Sequence, residues 1–299
     1  MTTLVDVRTR IATVKTTRQI TSAMKLVSST KLMKAQRNLT SLRPFEASLL
    51  QMVKDVYKGL EPENFHKITL PAAGNKVLVL IFGSNKGLCG TYNVMIIRKA
   101  LDHIQNLQNN GFEVHLLLIG SKVADFFIKN KYEVHGVQND FIDHVNFQSC
   151  SEFGQNLVKL LTENTFDRID AVYSKFRHAL IQEFTAEQIL PLTSLSKAAQ
   201  EAKPLDPQHQ EDLDKVIFEP SHSELTNYLV PKYFETLTYV LTLNTTASEH
   251  GARMTAMQKS TDNATELLKN LSLAMNKVRQ SVITREIMEI VSGAESMKN

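Results

Sequence analysis

Toward the C-terminus, seam positions recur at alternating steps of three and four: Leu237, Val240, Asn244, Ala247, Gly251, Met254, Met257, Thr261, Ala264, Leu268, Leu271, Met275, Val278 and Val282. A heptad seam held over roughly six heptads predicts a coiled coil rather than an ordinary surface helix. The seam then slips by one position and resumes at Ile283, Ile287, Ile290, Ala294 and Met297. Read as one helix from Ser221, the stretch is on the order of 110 Å long. A helix of that length outgrows most globular cores, so its stripe needs a partner.

The other chain end supplies one. Leu4, Val7, Ile11 and Val14 open a second seam, and Ile20, Met24 and Val27 continue it with a phase shift. Leu32, Ala35, Leu39, Leu42, Leu49, Val53, Val56 and Leu60 follow at spacings of three, four or seven, with Glu46 as the polar interruption. Gly59 and Pro62 mark the first break. Pro44 lies inside the pattern and predicts a bend near Leu42 to Phe45, not an end. Two long helices from opposite termini are expected to pair antiparallel, with the middle of the chain folding as a separate body.

The period changes after the Pro- and Gly-bearing stretch Glu61 to Asn75. Lys76–Phe82 and Glu113–Ile119 read as buried strands, with Val134–Val137 as a third. Helical spacing covers Asn93–Gln108, Lys122–Asn130 with Ser121 as its cap, and Ser151–Glu163. Arg168–Phe176 and Leu180–Gln188 read as two strands joined by a turn. Strands alternating with helices predict an α/β domain with a largely parallel sheet. Leu195–Asp214 is polar and carries Pro204 and Pro207, so a loop is expected there, with an edge strand at Val216–Phe218.

Composition changes this picture at one place. The net charge is only +3, yet residues 1–43 hold nine Lys or Arg against one acid, Asp6. The N-terminal helix is a basic rod, which suits an acidic partner surface or nucleic acid. Cys89 and Cys150 have no short-spaced partner, so neither a disulfide framework nor a thiol zinc site is supported. No signal peptide is expected, and the longest apolar run, Val77 to Phe82, is far short of a membrane span.

Candidate chemistry is thin. Gly83-Ser84-Asn85-Lys86-Gly87-Leu88-Cys89-Gly90 lies between a strand and a helix, where phosphate loops sit. Leu88 follows Gly87 where a P-loop needs Lys, and the dinucleotide GxGxxG spacing is missing. A tight strand-to-helix crossing is the expectation. Cys89 reads as a buried small side chain, not a nucleophile. The nine histidines show no metal-ligand spacing, and His250 reads as an interface side chain. No catalytic, cofactor-binding or metal residue is assigned.

Three motifs together carry a family resemblance. Arg18-Gln19-Ile20-Thr21-Ser22-Ala23-Met24-Lys25-Leu26-Val27, with Lys31-Leu32-Met33-Lys34-Ala35-Gln36, resembles the N-terminal helix of the gamma subunits of F-type (rotary) ATP synthases. Gly87-Leu88-Cys89-Gly90-Thr91-Tyr92-Asn93 is similar to that family's glycine motif. Ala247 to Met254, Thr261 to Ala264, and Arg279 to Ile287 running on to Ala294 resemble its C-terminal helix. Gly251 departs from the alanine usual there, which softens the helix by roughly 1 kcal/mol, and Gln258 to Ser260 is atypical.

The resemblance implies a mixed α+β and α/β architecture. Residues 1–60 and 221–298 are expected to form one antiparallel coiled-coil shaft, and residues 76–219 a central Rossmann-like α/β domain. It implies a central-stalk rotor that transmits torque between the membrane c-ring and a ring of three alpha and three beta subunits, coupling ion transport to ATP synthesis. One copy per complex is expected, with the epsilon subunit as a further partner and the membrane reached only through partners. The expected place is the cytoplasmic face of the bacterial inner membrane. Met24, Lys25, Arg253, Arg279, Gln280, Thr284 and Glu286 match family positions that meet the alpha/beta ring. The competing reading is a basic coiled-coil arm that binds nucleic acid. It calls for aromatics among the basic residues, and residues 1–43 contain none.

Overall fold

The computed structural model describes residues 4–58, 74–139, 142, 145–192, 219 and 221–297. The elements are α1 (Leu4–Lys58), β1 (Lys76–Phe82), α2 (Tyr92–Asn109), β2 (Glu113–Ile119), α3 (Ser121–Lys129), β3 (Val134–Gln138), α4 (Phe147–Thr162), β4 (Arg168–His178), β5 (Ile181–Leu190) and α5 (His222–Ser296). The chain divides into two compact units. The first holds residues 1–29 and 253–299, and the second residues 30–252. The predicted loop at Leu195–Asp214 and the edge strand at Val216–Phe218 lie outside the described residues.

In the second unit the sheet order is β3-β2-β1-β4-β5. The first four strands are parallel, and β5 closes antiparallel on β4. β1 is apolar on both faces because both are covered. Leu78, Leu80 and Phe82 pack with Leu49 and Val53 of α1, Phe153 and Leu157 of α4, and Val230 and Phe234 of α5. Val77, Val79 and Ile81 pack with Ile96, Ala100 and Ile104 of α2 and Val123 and Phe127 of α3. The largely parallel sheet is as the alternating elements predicted; the unit is a three-layer α/β sandwich in which parts of α1 and α5, expected to stand apart from it, join α4 in one layer.

Two helix starts differ from the reading of the sequence. α4 begins at Phe147, four residues before Ser151, because the Asn146 carboxamide oxygen accepts from the Ser149 N–H at 2.8 Å. Ser121 does not cap α3 but is its first residue. The cap comes from another loop: Asn85 Oδ1 accepts from the Ser121 N–H at 3.0 Å.

The seam predicted for residues 237–254 is wider than a seam. From Leu241 to Glu249 every residue is buried. A helix buried all round has to satisfy its own polar groups. Thr236, Thr238 and Thr242 donate their hydroxyls to the carbonyls four residues back. Asn244 accepts from the Phe176 N–H, and Ser248 donates to the Ser174 carbonyl. Gly251 is buried, and a Cβ there would meet the Ala179 carbonyl oxygen at 3.3 Å. The close approach of the β4–β5 turn accounts for glycine at this position.

α1 continues through Pro44 to Lys58. Its inward row in this unit is Leu32, Ala35, Leu39, Leu42, Glu46, Leu49, Val53 and Val56. Burial of Glu46 raises its carboxyl pKa, against the lowering effect of Arg43 and Lys175. An acid whose folded pKa is raised binds its proton more readily in the folded chain. Its stability contribution is full below the unfolded value of 4.5 and is lost as pH rises through the folded value. Glu46→Gln is therefore expected to raise the urea midpoint at about pH 7 and to leave it nearly unchanged at about pH 4. A lower midpoint at neutral pH would refute this account.

Candidate functional site

In the first unit the inward row of α1 is Val7, Ile11, Val14, Arg18, Thr21, Lys25 and Ser28, all buried or half-buried. The steps alternate four and three without a break. The predicted phase shift to Ile20 and Val27 is therefore corrected: Ile20 is 54% and Val27 59% exposed. Polar side chains sit inward where apolar ones were expected. Spacing decides this over hydropathy, because a straight helix cannot move its stripe without a local insertion. Strict counting from Val14 would have found Thr21 and Ser28.

The facing row on α5 is Met257, Thr261, Ala264, Leu268, Leu271, Met275, Val278 and Val282, as the seam predicted. The Thr21 and Thr261 hydroxyls meet at 2.8 Å, joining the two helices. Each also bonds its own helix, Thr21 to the Arg18 carbonyl and Thr261 to that of Met257. A hydroxyl pair in a coiled-coil seam fixes which residues face each other at some cost in stability.

Beyond Val282 the chain does not cover its own apolar residues. Ile283, Ile287, Ile290, Ala294 and Met297 are all exposed, so the slipped seam meets no facing row among the described residues. With Met288 and Val291 also exposed, this end of α5 presents apolar side chains over about half its circumference, with Arg285, Glu286 and Glu289 on the other side. Apolar surface so concentrated marks a contact with another molecule.

The seven residues expected to touch partners fall in two groups. Met24 and Lys25 are half-buried on α1, one turn beyond Thr21, and Arg253 is buried on α5. Arg279, Gln280, Thr284 and Glu286 are exposed on the later part of α5. The Thr284 hydroxyl is turned back to the Gln280 carbonyl at 2.9 Å. From Thr261 to Arg279 is about 27 Å of helix, so the structure does not bring the two groups together.

In the second unit the glycine motif is a crossing held by its own side chains. Asn93 Oδ1 accepts from the Ser84 N–H at 3.1 Å, and Asn93 Nδ2 donates to Ser84 Oγ at 2.8 Å and to Cys89 Sγ at 3.3 Å. The start of α3 is occupied by Asn85. Two amides at this crossing, those of Ser84 and Ser121, are spent on carboxamides. Cys89 and Cys150 are buried free thiols, and burial pushes Cys150 up to about 12, far from a reactive thiolate. Among the described residues no three His, Cys, Asp or Glu side chains are placed to hold a metal, and no helix is long and apolar enough to cross a membrane.

Comparison with known proteins agrees with the motifs. A family model described as ATP synthase matches residues 3–297. The chain is 39% identical over 297 residues to the ATP synthase gamma chain of Flavobacterium johnsoniae, covering 99% of each. It is 34% identical over 298 residues to that of Halothermothrix orenii, covering 100% of each. Among solved structures it resembles a chain of the Euglena gracilis mitochondrial ATP synthase (OSCP/F1/c-ring) with a TM-score of 0.65, 18% identity, and 98% and 94% of the two chains covered. It also resembles a chain of the Tetrahymena thermophila mitochondrial ATP synthase central stalk and c-ring, with a TM-score of 0.55, 24% identity, and 80% and 98% covered. With relatives matched end to end at this identity and the fold shared, the chain belongs to the ATP synthase gamma chain family.

Proposed function

We propose that this chain is the central-stalk rotor of an F-type ATP synthase, coupling a turning c-ring to the nucleotide sites of an alpha/beta ring. The observation that carries the reading is the exposed apolar end of α5, from Ile283 to Met297, on a helix pair that already has its own seam. Such a surface needs a sleeve from outside the chain, and a ring of three alpha and three beta subunits provides one. Residues 1–60 and 221–298 act as one shaft, and residues 76–219 face the epsilon subunit and the c-ring. The chain itself hydrolyses nothing. It sits at the cytoplasmic face of a bacterial inner membrane, one copy per complex, held there by its partners.

Torque transfer follows from asymmetry. Three equivalent neighbours meet different faces of one rod, basic on α1 and apolar at the end of α5. Only a difference in interaction between conformations shifts their populations. Lys25 with Met24 faces an acidic loop of beta, while Arg253, Arg279, Gln280, Thr284 and Glu286 catch the ring in polar contacts. An arginine binds a carboxylate with two parallel hydrogen bonds, which gives the catch a direction.

Deleting residues 283–299 tests this. The fold keeps its denaturation midpoint, because the removed side chains pack on little of the chain. ATP-driven ion pumping by the reconstituted complex is expected to fall roughly tenfold, the equivalent of losing about 1.4 kcal/mol of contact. Full coupling without these residues would overturn the reading, as would ATP hydrolysis by the purified chain alone.

A further inference from the structure

We propose that a cavity in the second unit, between α1 and α5, binds a phosphate-class oxyanion. Its volume is about 330 Å³. That lies at the small end of pockets that hold small molecules and leaves room for phosphate or pyrophosphate with some water. Lys31 and Lys34, three apart on α1, share one face of that helix, and Thr246 and His250, four apart on α5, share one face of theirs. The two faces flank the cavity, which opens to solvent where Lys31 and Lys34 are exposed, with Ala35, Leu243 and Ile142 as apolar wall.

The chemistry of the lining is one-sided. Among the described residues of the lining none is a carboxylate, and two are cations. Neither lysine has an ion-pair partner among the described residues. The Thr246 hydroxyl is buried without a hydrogen-bond partner among them. Thr238 and Thr242 on the same helix bond the carbonyls four residues back, and Thr246 does not. A tetrahedral oxyanion accepts from several donors at once, and ammonium groups serve it as point charges. At the glycine motif the Ser84 amide is already bonded to Asn93, and the Ser121 amide at the start of α3 to Asn85. The site does not depend on the rotor reading and is separate from the seven partner-facing residues.

The test is titration of the purified full-length chain with pyrophosphate at physiological ionic strength, followed by phosphorus NMR and calorimetry, with inorganic phosphate as the second probe. One saturable site is expected. Lys31→Ala and Lys34→Ala should each weaken it about tenfold and Thr246→Val about threefold, in line with charged and neutral hydrogen bonds. Arg37→Ala, on α1 outside the lining, should leave it unchanged. No saturable binding would overturn the proposal. So would equal weakening by Arg37→Ala, which would mean diffuse attraction to a basic helix.

Discussion

Replacing Gly120 with alanine is expected to destabilise the chain by about 3 kcal/mol or more. Gly120 ends β2 at φ +106°, a backbone region that L side chains rarely adopt. A Cβ there would also stand 3.0 Å from the Gly83 carbonyl carbon and the Ser84 nitrogen. Backbone has little freedom to retreat at this point. Gly83 N–H donates to the Ile119 carbonyl at 2.8 Å, and Lys122 N–H to the Ser84 carbonyl at 3.0 Å. Gly83 is constrained as well, because a Cβ on it would run into the buried Val123 side chain. The two glycines let the ends of β1 and β2 touch where the chain leaves the sheet. Gly87 is the control: it lies in the same motif, and nothing stands within 4 Å of a Cβ there. Urea unfolding followed by circular dichroism should show a large loss for Gly120→Ala and almost none for Gly87→Ala. A loss below about 1 kcal/mol at Gly120 would show that the crossing is compliant.

This crossing also shows what could be read without coordinates. The motif's place between strand and helix was legible, and so was its failure to match a phosphate loop. Its bonding was not. Asn85 caps a helix that starts 36 residues later, and no local pattern announces such a partner. Strands β1 and β2 were legible to the residue because Val77–Phe82 and Leu116–Ile119 are covered on both faces, which leaves unbroken apolar runs there. α1 was legible as a helix but not in its facing. Hydropathy favoured Ile20 and Val27, whereas the helix turns Thr21 and Ser28 inward and leaves the apolar pair exposed. The seven residues proposed to face partners came from family resemblance; periodicity alone assigns that role to none of them. The cavity near Lys31 and Lys34 could not be foreseen, since its other wall lies more than 200 residues away in sequence.

The second large effect is expected at Asp170, near the start of β4. Its side chain is fully buried. Arg168, two residues back and so on the same face of the strand, grips it with Nε to Oδ1 at 2.6 Å and Nη2 to Oδ2 at 2.8 Å. His103 of α2 adds Nε2 at 2.7 Å from Oδ2. A carboxylate survives burial only when donors replace its lost water, and here three donors do so. Asp170→Ala removes the acceptor and leaves a guanidinium and an imidazole facing an apolar gap, at an expected cost of about 3 kcal/mol. Arg168 keeps its perch over the Phe112 ring, 5.7 Å from the centroid, and is partly exposed, which holds the loss to the lower end of that range. The informative comparison is the double change Arg168→Met with Asp170→Leu. If the ion pair contributes little net stability against apolar packing, as buried pairs often do, the double variant should unfold within about 1 kcal/mol of the parent while the single variant falls well below it. A single variant as stable as the parent would mean that the sheet tolerates an uncompensated guanidinium at this position, and that the carboxylate is not what keeps Arg168 and His103 against β4.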